Sequence, residues 1–124
     1  MPRVKAGAGP VAATPLKILR YHLYWVNLDP TQGSEIAKTR AALVVSPDAM
    51  NKRLQTVVIC PLTSQIHPSW ASRVQCECAG QPGEIAIDQI RTVARTRLQK
   101  HIGNIDSNTA AQVRAAITLL YATA

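Results

Sequence analysis

Phenylalanine is absent from these 124 residues, and other aromatic side chains are few: Trp25, Trp70, Tyr21, Tyr24 and Tyr121. A core built from this chain must rest on Val, Ile, Leu and Ala. No apolar run reaches the length of a membrane span, so a transmembrane segment is excluded. Residues 1–19 contain no long apolar stretch, which argues against a secretory signal. Cysteine is limited to Cys60, Cys76 and Cys78, an odd count. Cys76 and Cys78 are two apart in a strand-like run and share a face, so they do not pair locally. Reduced thiols and a cytoplasmic protein are expected. His22, His67 and His101 are scattered, and no Cys or His pair has metal-ligand spacing. Neither a metal nor another cofactor is expected, and phosphate-cradling glycine motifs are missing.

Acids are also scarce. Seven Asp plus Glu stand against fourteen Lys plus Arg, leaving a net charge of +7. That balance favours a polyanionic partner, nucleic acid first and an acidic protein second. A merely soluble basic protein is the plainer alternative. The length suits one domain able to bury about two-thirds of the surface it exposes when unfolded.

Residues 1–20, rich in Ala, Gly and Pro, read as a flexible basic arm preceding a domain over 21–124. Within that domain, Tyr21 to Leu28 forms a strand ended by Asp29-Pro30. Ala41 to Val45 is a second strand, closed by Ser46-Pro47. Between them lies a loop, Thr31 to Arg40, dense in acid, base and hydroxyl groups. Such a loop between two strands is where a site is placed on a rigid scaffold, although an ordinary solvated loop has the same composition. Asp48 to Arg53 is a turn or one helical turn. Gln55 to Leu62 is the central strand, with Pro61 expected at an end or an edge. Ser72 to Cys78 alternates as a half-buried strand, with Val74, Cys76 and Cys78 on one face. Gly80 to Gly83 is a tight connection. Glu84 to Val93 starts as a strand interrupted at Asp88-Gln89, and Arg91, Arg95, Arg97 and Lys100 follow as a cationic segment. Asp106 or Ser107 caps a final helix whose apolar face is Ala110, Val113, Ala116, Ile117, Leu120 and Tyr121. About five short strands and one C-terminal helix make a small, strongly curved antiparallel sheet or barrel covered on one side.

Three polar clusters then stand beside strands: Glu35 to Arg40, Thr63 to Gln65, and Asp88 to Arg91. If they meet at one end of a barrel, the pocket holds an acid, a fixed cation, a hydroxyl and an amide. That set suits cleavage of RNA by its own 2′-hydroxyl, where the protein moves a proton, neutralises charge growing on phosphorus and holds the attack in line. An arginine fork matches two phosphate oxygens and stays charged. The plain readings are an Arg40–Glu35 surface ion pair, Thr63 starting a turn and Asp88 capping one.

The run Trp25-Val26-Asn27-Leu28-Asp29-Pro30-Thr31-Gln32-Gly33-Ser34-Glu35, with Lys38-Thr39-Arg40 and Val44-Val45-Ser46-Pro47, closely resembles the opening motif of the MazF/PemK (Kid) toxins. Pro61-Leu62-Thr63-Ser64-Gln65 resembles their second motif, and Ile87 to Val93 (IDQIRTV) their third. The resemblance runs from about Tyr21 to the C-terminus. It implies a mainly β, SH3-like small barrel of five to seven strands with a C-terminal helix. It also implies the toxin of a type II toxin–antitoxin pair, a metal-independent endoribonuclease that cuts single-stranded mRNA, and in some cases rRNA or tRNA, at short sequences and stops translation. The implied partners are RNA, a second copy in a homodimer, and a small acidic antitoxin, through which alone operator DNA is bound. Carried over by position, Arg40, Thr63 and Glu35 are the catalytic set. Ser64, Gln65, Lys38, Arg73, Asp88 and Gln89 are the RNA contacts. Asp88 matches an acid proposed as base in another branch, which also has an arginine where this chain has Ala86. Further departures are Tyr21-His22 at the opening and Ala41 in place of a proline. The alternatives are a gyrase-poisoning toxin of the CcdB type, which shares the barrel and acts by binding, and a degenerate member that only binds nucleic acid or antitoxin.

Overall fold

The computed structural model describes residues 14–122. Seven strands form one curled antiparallel sheet: β1 (His22–Asn27), β2 (Thr39–Val44), β3 (Thr56–Thr63), β4 (Arg73–Cys78), β5 (Gln81–Ala86), β6 (Arg91–Ala94) and β7 (Leu98–Asn104). The order is β4-β5-β3-β2-β1-β7, with β6 also paired to β3. A short helix α1 (Asp48–Arg53) follows β2, and helix α2 (Ser107–Ile117) closes the chain.

Strand β3 makes the curl. Its first half pairs with β6 from Thr56 to Ile59, and its last two residues pair with β5. Pro61 lies between these two pairings rather than at a strand end. It is buried and opposite Ala42 of β2. The flank left open between β6 and β5 is where a residue without an N–H does least harm to a ladder. The turn between β4 and β5 is also tighter than expected. Only Ala79 and Gly80 form it, both at positive φ (52° and 79°), and Gln81, Pro82 and Gly83 already belong to β5. Two positive φ values suit a hairpin turn that follows the twist of its strands.

Period-two alternation sends side chains of the central strands to two apolar clusters. One holds Leu23, Leu43, Cys60, Leu62, Val74 and Ile85 together with Ala110, Val113 and Ala116 of α2. The other holds Tyr24, Val26, Ala42, Val44, Val57, Ile59 and Leu98 in the curl of the sheet. Burial of each such aliphatic side chain is worth about 1.5–3 kcal/mol, which makes these clusters the main support of the fold. Asp106 caps α2 by accepting from the Thr109 N–H at 2.7 Å. The apolar face of α2 is buried at Ala110, Val113 and Ala116. The chain then changes to a π-helical turn over Thr118–Ala122, and Leu120 and Tyr121 are exposed there instead of buried.

The expected N-terminal arm falls partly outside the described residues, over 1–13. Within residues 14–20, Ile18 is 4% exposed and packs on the domain, and the Leu19 N–H donates to the Tyr24 hydroxyl at 2.9 Å, while Leu16 is fully exposed. The cationic segment is not simply solvated. Arg91 donates to the Leu28 carbonyl, Arg97 to those of Asn27 and Asp29, and Arg95 to those of Asn51 and Leu54 at the end of α1. Carbonyls at a helix C-terminus lack intrahelical donors and sit at the negative end of its dipole, so Arg95 suits that place.

Candidate active site

Arg40 is the second residue of β2, not the end of the loop. The β2–β3 register pairs Ala42 with Pro61, so two residues further out Arg40 comes level with Thr63. Both border one cavity of about 260 Å³, together with Ser64 from the loop after β3, Trp25 from β1, and Cys78 and Gln81 from the β4–β5 hairpin. Arg40 is half-buried, and its Nε donates to the Ala37 carbonyl at 3.1 Å. That bond orients the guanidinium, while no ion pair occupies its fork among the described residues. The Arg40–Glu35 ion pair weighed from the sequence is not formed. Thr63 does start a turn, because its Oγ1 accepts from the Gln65 N–H at 3.1 Å. The hydroxyl proton is left free to be donated elsewhere. Gln65 itself is exposed.

The loop over residues 28–38 is held at its base by one carboxylate. Asp29 Oδ1 accepts from the Lys38 N–H at 2.9 Å, and the Leu28 N–H donates to the Lys38 carbonyl at 2.9 Å. Lys38 has φ of 69°, a region that costs a side-chain-bearing residue free energy and persists only where the surroundings enforce it. Its side chain is exposed. Gln89 ties the same loop to the sheet by accepting from the Ile36 N–H at 2.7 Å.

Glu35, Asp88 and Gln89 border a second cavity, about 460 Å³, with Ser34, Pro61 and Arg91. The three polar clusters therefore meet as two neighbouring cavities rather than one. Ser34, Glu35, Ile36 and Pro61 line the second cavity and Arg40, Ala41, Leu62, Thr63 and Ser64 the first, so the carboxylates and the Arg40–Thr63 pair line different cavities that share no residue. The two acids differ. Glu35 is exposed and accepts from the Gln32 N–H at 2.5 Å through Oε1. Both oxygens of Asp88 face Arg73, at 2.8 and 3.4 Å. Burial alone would raise the Asp88 pKa, but the bonds and charge of Arg73 outweigh it and hold the carboxyl below its ordinary range.

Arg73 is occupied at both ends. Its Nη1 donates to Glu84 Oε2 at 2.7 Å, its side chain is 7% exposed, and its guanidinium lies 4.8 Å from the centre of the Trp70 ring. A phosphate contact by Arg73, expected from the resemblance, would require this network to open. Glu84 was not singled out from the sequence. It is fully buried and accepts from Gln75 at 2.7 Å, from the His67 N–H at 2.5 Å and from Arg73. Burial pushes its pKa up, and these donors push it further down, to about 2. No pattern in the chain marks it, because a glutamate opening an apolar run reads like any strand end. Burial raises the Cys60 and Cys76 thiols to about 12 and about 11, so neither is an activated nucleophile. Among the described residues no group of three or more His, Cys, Asp and Glu side chains is placed to hold a metal.

Residues 19–121 match the family described as PemK-like, MazF-like toxin of type II toxin–antitoxin system. The chain is 31% identical over 114 residues to the endoribonuclease MazF9 of Mycobacterium tuberculosis, covering 81% of this chain and 92% of that protein. The crystal structure of MazF from Deinococcus radiodurans superposes with a TM-score of 0.76 at 28% identity, over 86% of this chain and 98% of that one. The same fold is seen, at 20% identity and a TM-score of 0.72, in a mycobacterial endoribonuclease solved in complex with its cognate antitoxin, over 86% and 97% of the two chains. A match over nearly the whole described chain, with a curled seven-stranded sheet and a closing helix, places this protein in the PemK/MazF family of type II toxins.

Proposed function

We propose that this chain is the endoribonuclease toxin of its system and that it cleaves single-stranded RNA at the cavity bordered by Arg40 and Thr63. The observation that carries the reading is that pairing: a cation with an unoccupied fork and a hydroxyl with a free proton border the same small cavity. In the proposed reaction the substrate 2′-oxygen loses its proton to a carboxylate and attacks the adjacent phosphorus, while the bond to the 5′-oxygen breaks and that oxygen takes a proton from water, giving a 2′,3′-cyclic phosphate and a 5′-hydroxyl. Arg40 grips two phosphate oxygens and offsets the charge that grows on them, a type of electrostatic contribution that is often the largest share of a rate enhancement. Thr63 donates to a phosphate oxygen or to the attacking hydroxyl, with Ser64 beside it. Glu35 takes the proton in preference to Asp88, because both oxygens of Asp88 are committed to Arg73. Lys38, Gln65 and Gln89 border the RNA path. No metal is required in this scheme.

The +7 charge and the family support an acidic antitoxin as the physiological inhibitor, with operator DNA bound through that complex. The exposed Leu119, Leu120 and Tyr121 beyond α2 support a homodimer. The test is incubation of purified protein with a cellular RNA pool in EDTA, with mapping of the cut ends. Cleavage by the wild type and its loss in Arg40→Ala is the expected result. Intact RNA, or equal cutting by that variant, would count against the reading. A gyrase poison has no use for the Arg40–Thr63 pair, and the proposal predicts unchanged supercoiling by gyrase.

A further inference from the structure

Trp70 stands in the loop that leaves the site, six residues beyond Ser64. It is 47% exposed, yet it is held firmly. Its N–H donates to the His67 carbonyl at 3.0 Å, and its carbonyl accepts from the Arg73 N–H at 3.1 Å. The His67 imidazole stacks on the indole with centres 3.8 Å apart and planes 15° apart. The Arg73 guanidinium also lies over the indole, and Arg73 Nη1 is 3.5 Å from His67 Nδ1. Groups on opposite faces of a ring could not be that close to each other. His67 and Arg73 therefore cover the same face, and the other face has no ring or cation contact among the described residues.

The supports of this arrangement reach the cavity bordered by Glu35. Arg73 is paired with Glu84 and with Asp88, and Asp88 borders the cavity that also contains Glu35. A large π-surface, locked from behind and open in front, is the feature by which proteins hold unpaired bases without selecting one by hydrogen bonds. From these contacts we infer that the open face of Trp70 is a stacking platform for an unpaired base of the RNA, within a few nucleotides of the scissile phosphate. The identity of the ligand as RNA rests on the ribonuclease reading above. The platform fixes where the strand lies and takes no part in the chemistry.

The experiment uses a fluorescein-labelled, random-sequence 15-nucleotide 2′-O-methyl RNA, which cannot be cut because its attacking hydroxyl is blocked. Anisotropy titrations compare wild type, Trp70→Ala, Trp70→Phe and Trp70→Leu. Alanine and leucine are expected to weaken binding about tenfold and phenylalanine clearly less, because stacking needs a ring while packing needs only bulk. In cleavage assays the loss should appear in KM with kcat nearly unchanged. Equal affinity in all four proteins would overturn the platform, as would rescue by leucine. A Trp70→Ala protein that changes its oligomeric state in sedimentation would also overturn it and assign the ring to a contact between copies. If the wild type binds this RNA through Trp70 but cuts no cellular RNA, the ribonuclease reading fails and the platform stands. If cellular RNA is cut and Trp70→Ala binds and cuts as wild type, only the platform fails.

Discussion

Arg73 Nη1 lies 2.7 Å from Glu84 Oε2, with the two side chains 7% and 0% exposed. The chain thus buries an ion pair beside its candidate site, with Gln75 and the His67 N–H also donating to Glu84 and Asp88 also paired with Arg73. Removing one partner of such a pair is far more damaging than replacing both, since it leaves a charge desolvated and uncompensated. Arg73→Ala should destabilise the fold by about 3–5 kcal/mol. An Arg73→Met, Glu84→Met double variant should recover part of that loss, since the Gln75 and His67 donors and Asp88 still lose their partners. Urea midpoints of the three proteins check the ordering.

Acid should weaken the protein through the same group. Glu84 has a folded-state pKa of about 2, below the ordinary glutamate value near 4.5, so the unfolded chain binds the extra proton first. Its contribution is complete above the unfolded value and is lost as pH falls through the window from about 4.5 to about 2. Asp88, also lowered by Arg73, acts with the same sign. Stability measured against pH should fall across that window in the wild type and fall less steeply in Glu84→Gln.

Activity should depend on the guanidinium itself and not only on its charge. Arg40→Ala is expected to lower kcat by about 10²–10³, the scale seen when a group that stabilises transition-state charge is removed. Arg40→Lys should recover little, because an ammonium cannot grip two oxygens in parallel. Thr63→Ser should keep most activity and Thr63→Ala should not. The alanine variant also loses the bond from the Gln65 N–H, worth about 0.5–1.5 kcal/mol. Single-turnover cleavage combined with urea denaturation separates the two effects.

The β4–β5 hairpin offers a prediction independent of chemistry. Ala79 occupies φ of 52°, a region that disfavours a Cβ by about 1–2 kcal/mol. Ala79→Gly and Ala79→Asn should raise stability, whereas Gly80→Ala at φ of 79° should lower it by about as much. Both positions lie at the rim of or beside the Arg40 cavity, and Ala79 borders it. The RNA cleavage rate of the two Ala79 variants therefore shows whether a stiffer turn alters the site.

The strands of this fold were legible because alternation and punctuation agreed, as at Val74 to Cys78 and at Asp29-Pro30. The level placement of Arg40 and Thr63 was suggested by motif order, and its geometry follows from the register set at Ala42 and Pro61. What could not be read was long-range. Arg73 looked like a surface cation of an alternating strand, and only the fold brings Glu84, Asp88 and Trp70 around it. Pro61 was expected at an end or an edge, and it takes a local edge inside the strand, because the gap between β6 and β5 is a property of the sheet. The division of Glu35 and Arg40 between neighbouring cavities depends on the course of an irregular loop, fixed by Asp29 at its base and by Gln89 from outside it.

The arginines that bond to backbone carbonyls alter what the excess of positive charge can do. Arg91, Arg95 and Arg97 are spoken for by the ends of β1 and α1, and Arg73 by two carboxylates. Binding to a single strand releases about 0.7 counterion per phosphate contacted, and only cations that can reach a phosphate count. The salt dependence of RNA affinity should therefore be shallower than fourteen basic residues suggest. A ligand held more by shape and by ring faces than by bulk charge would keep its grip at ionic strengths that strip looser polyanions away.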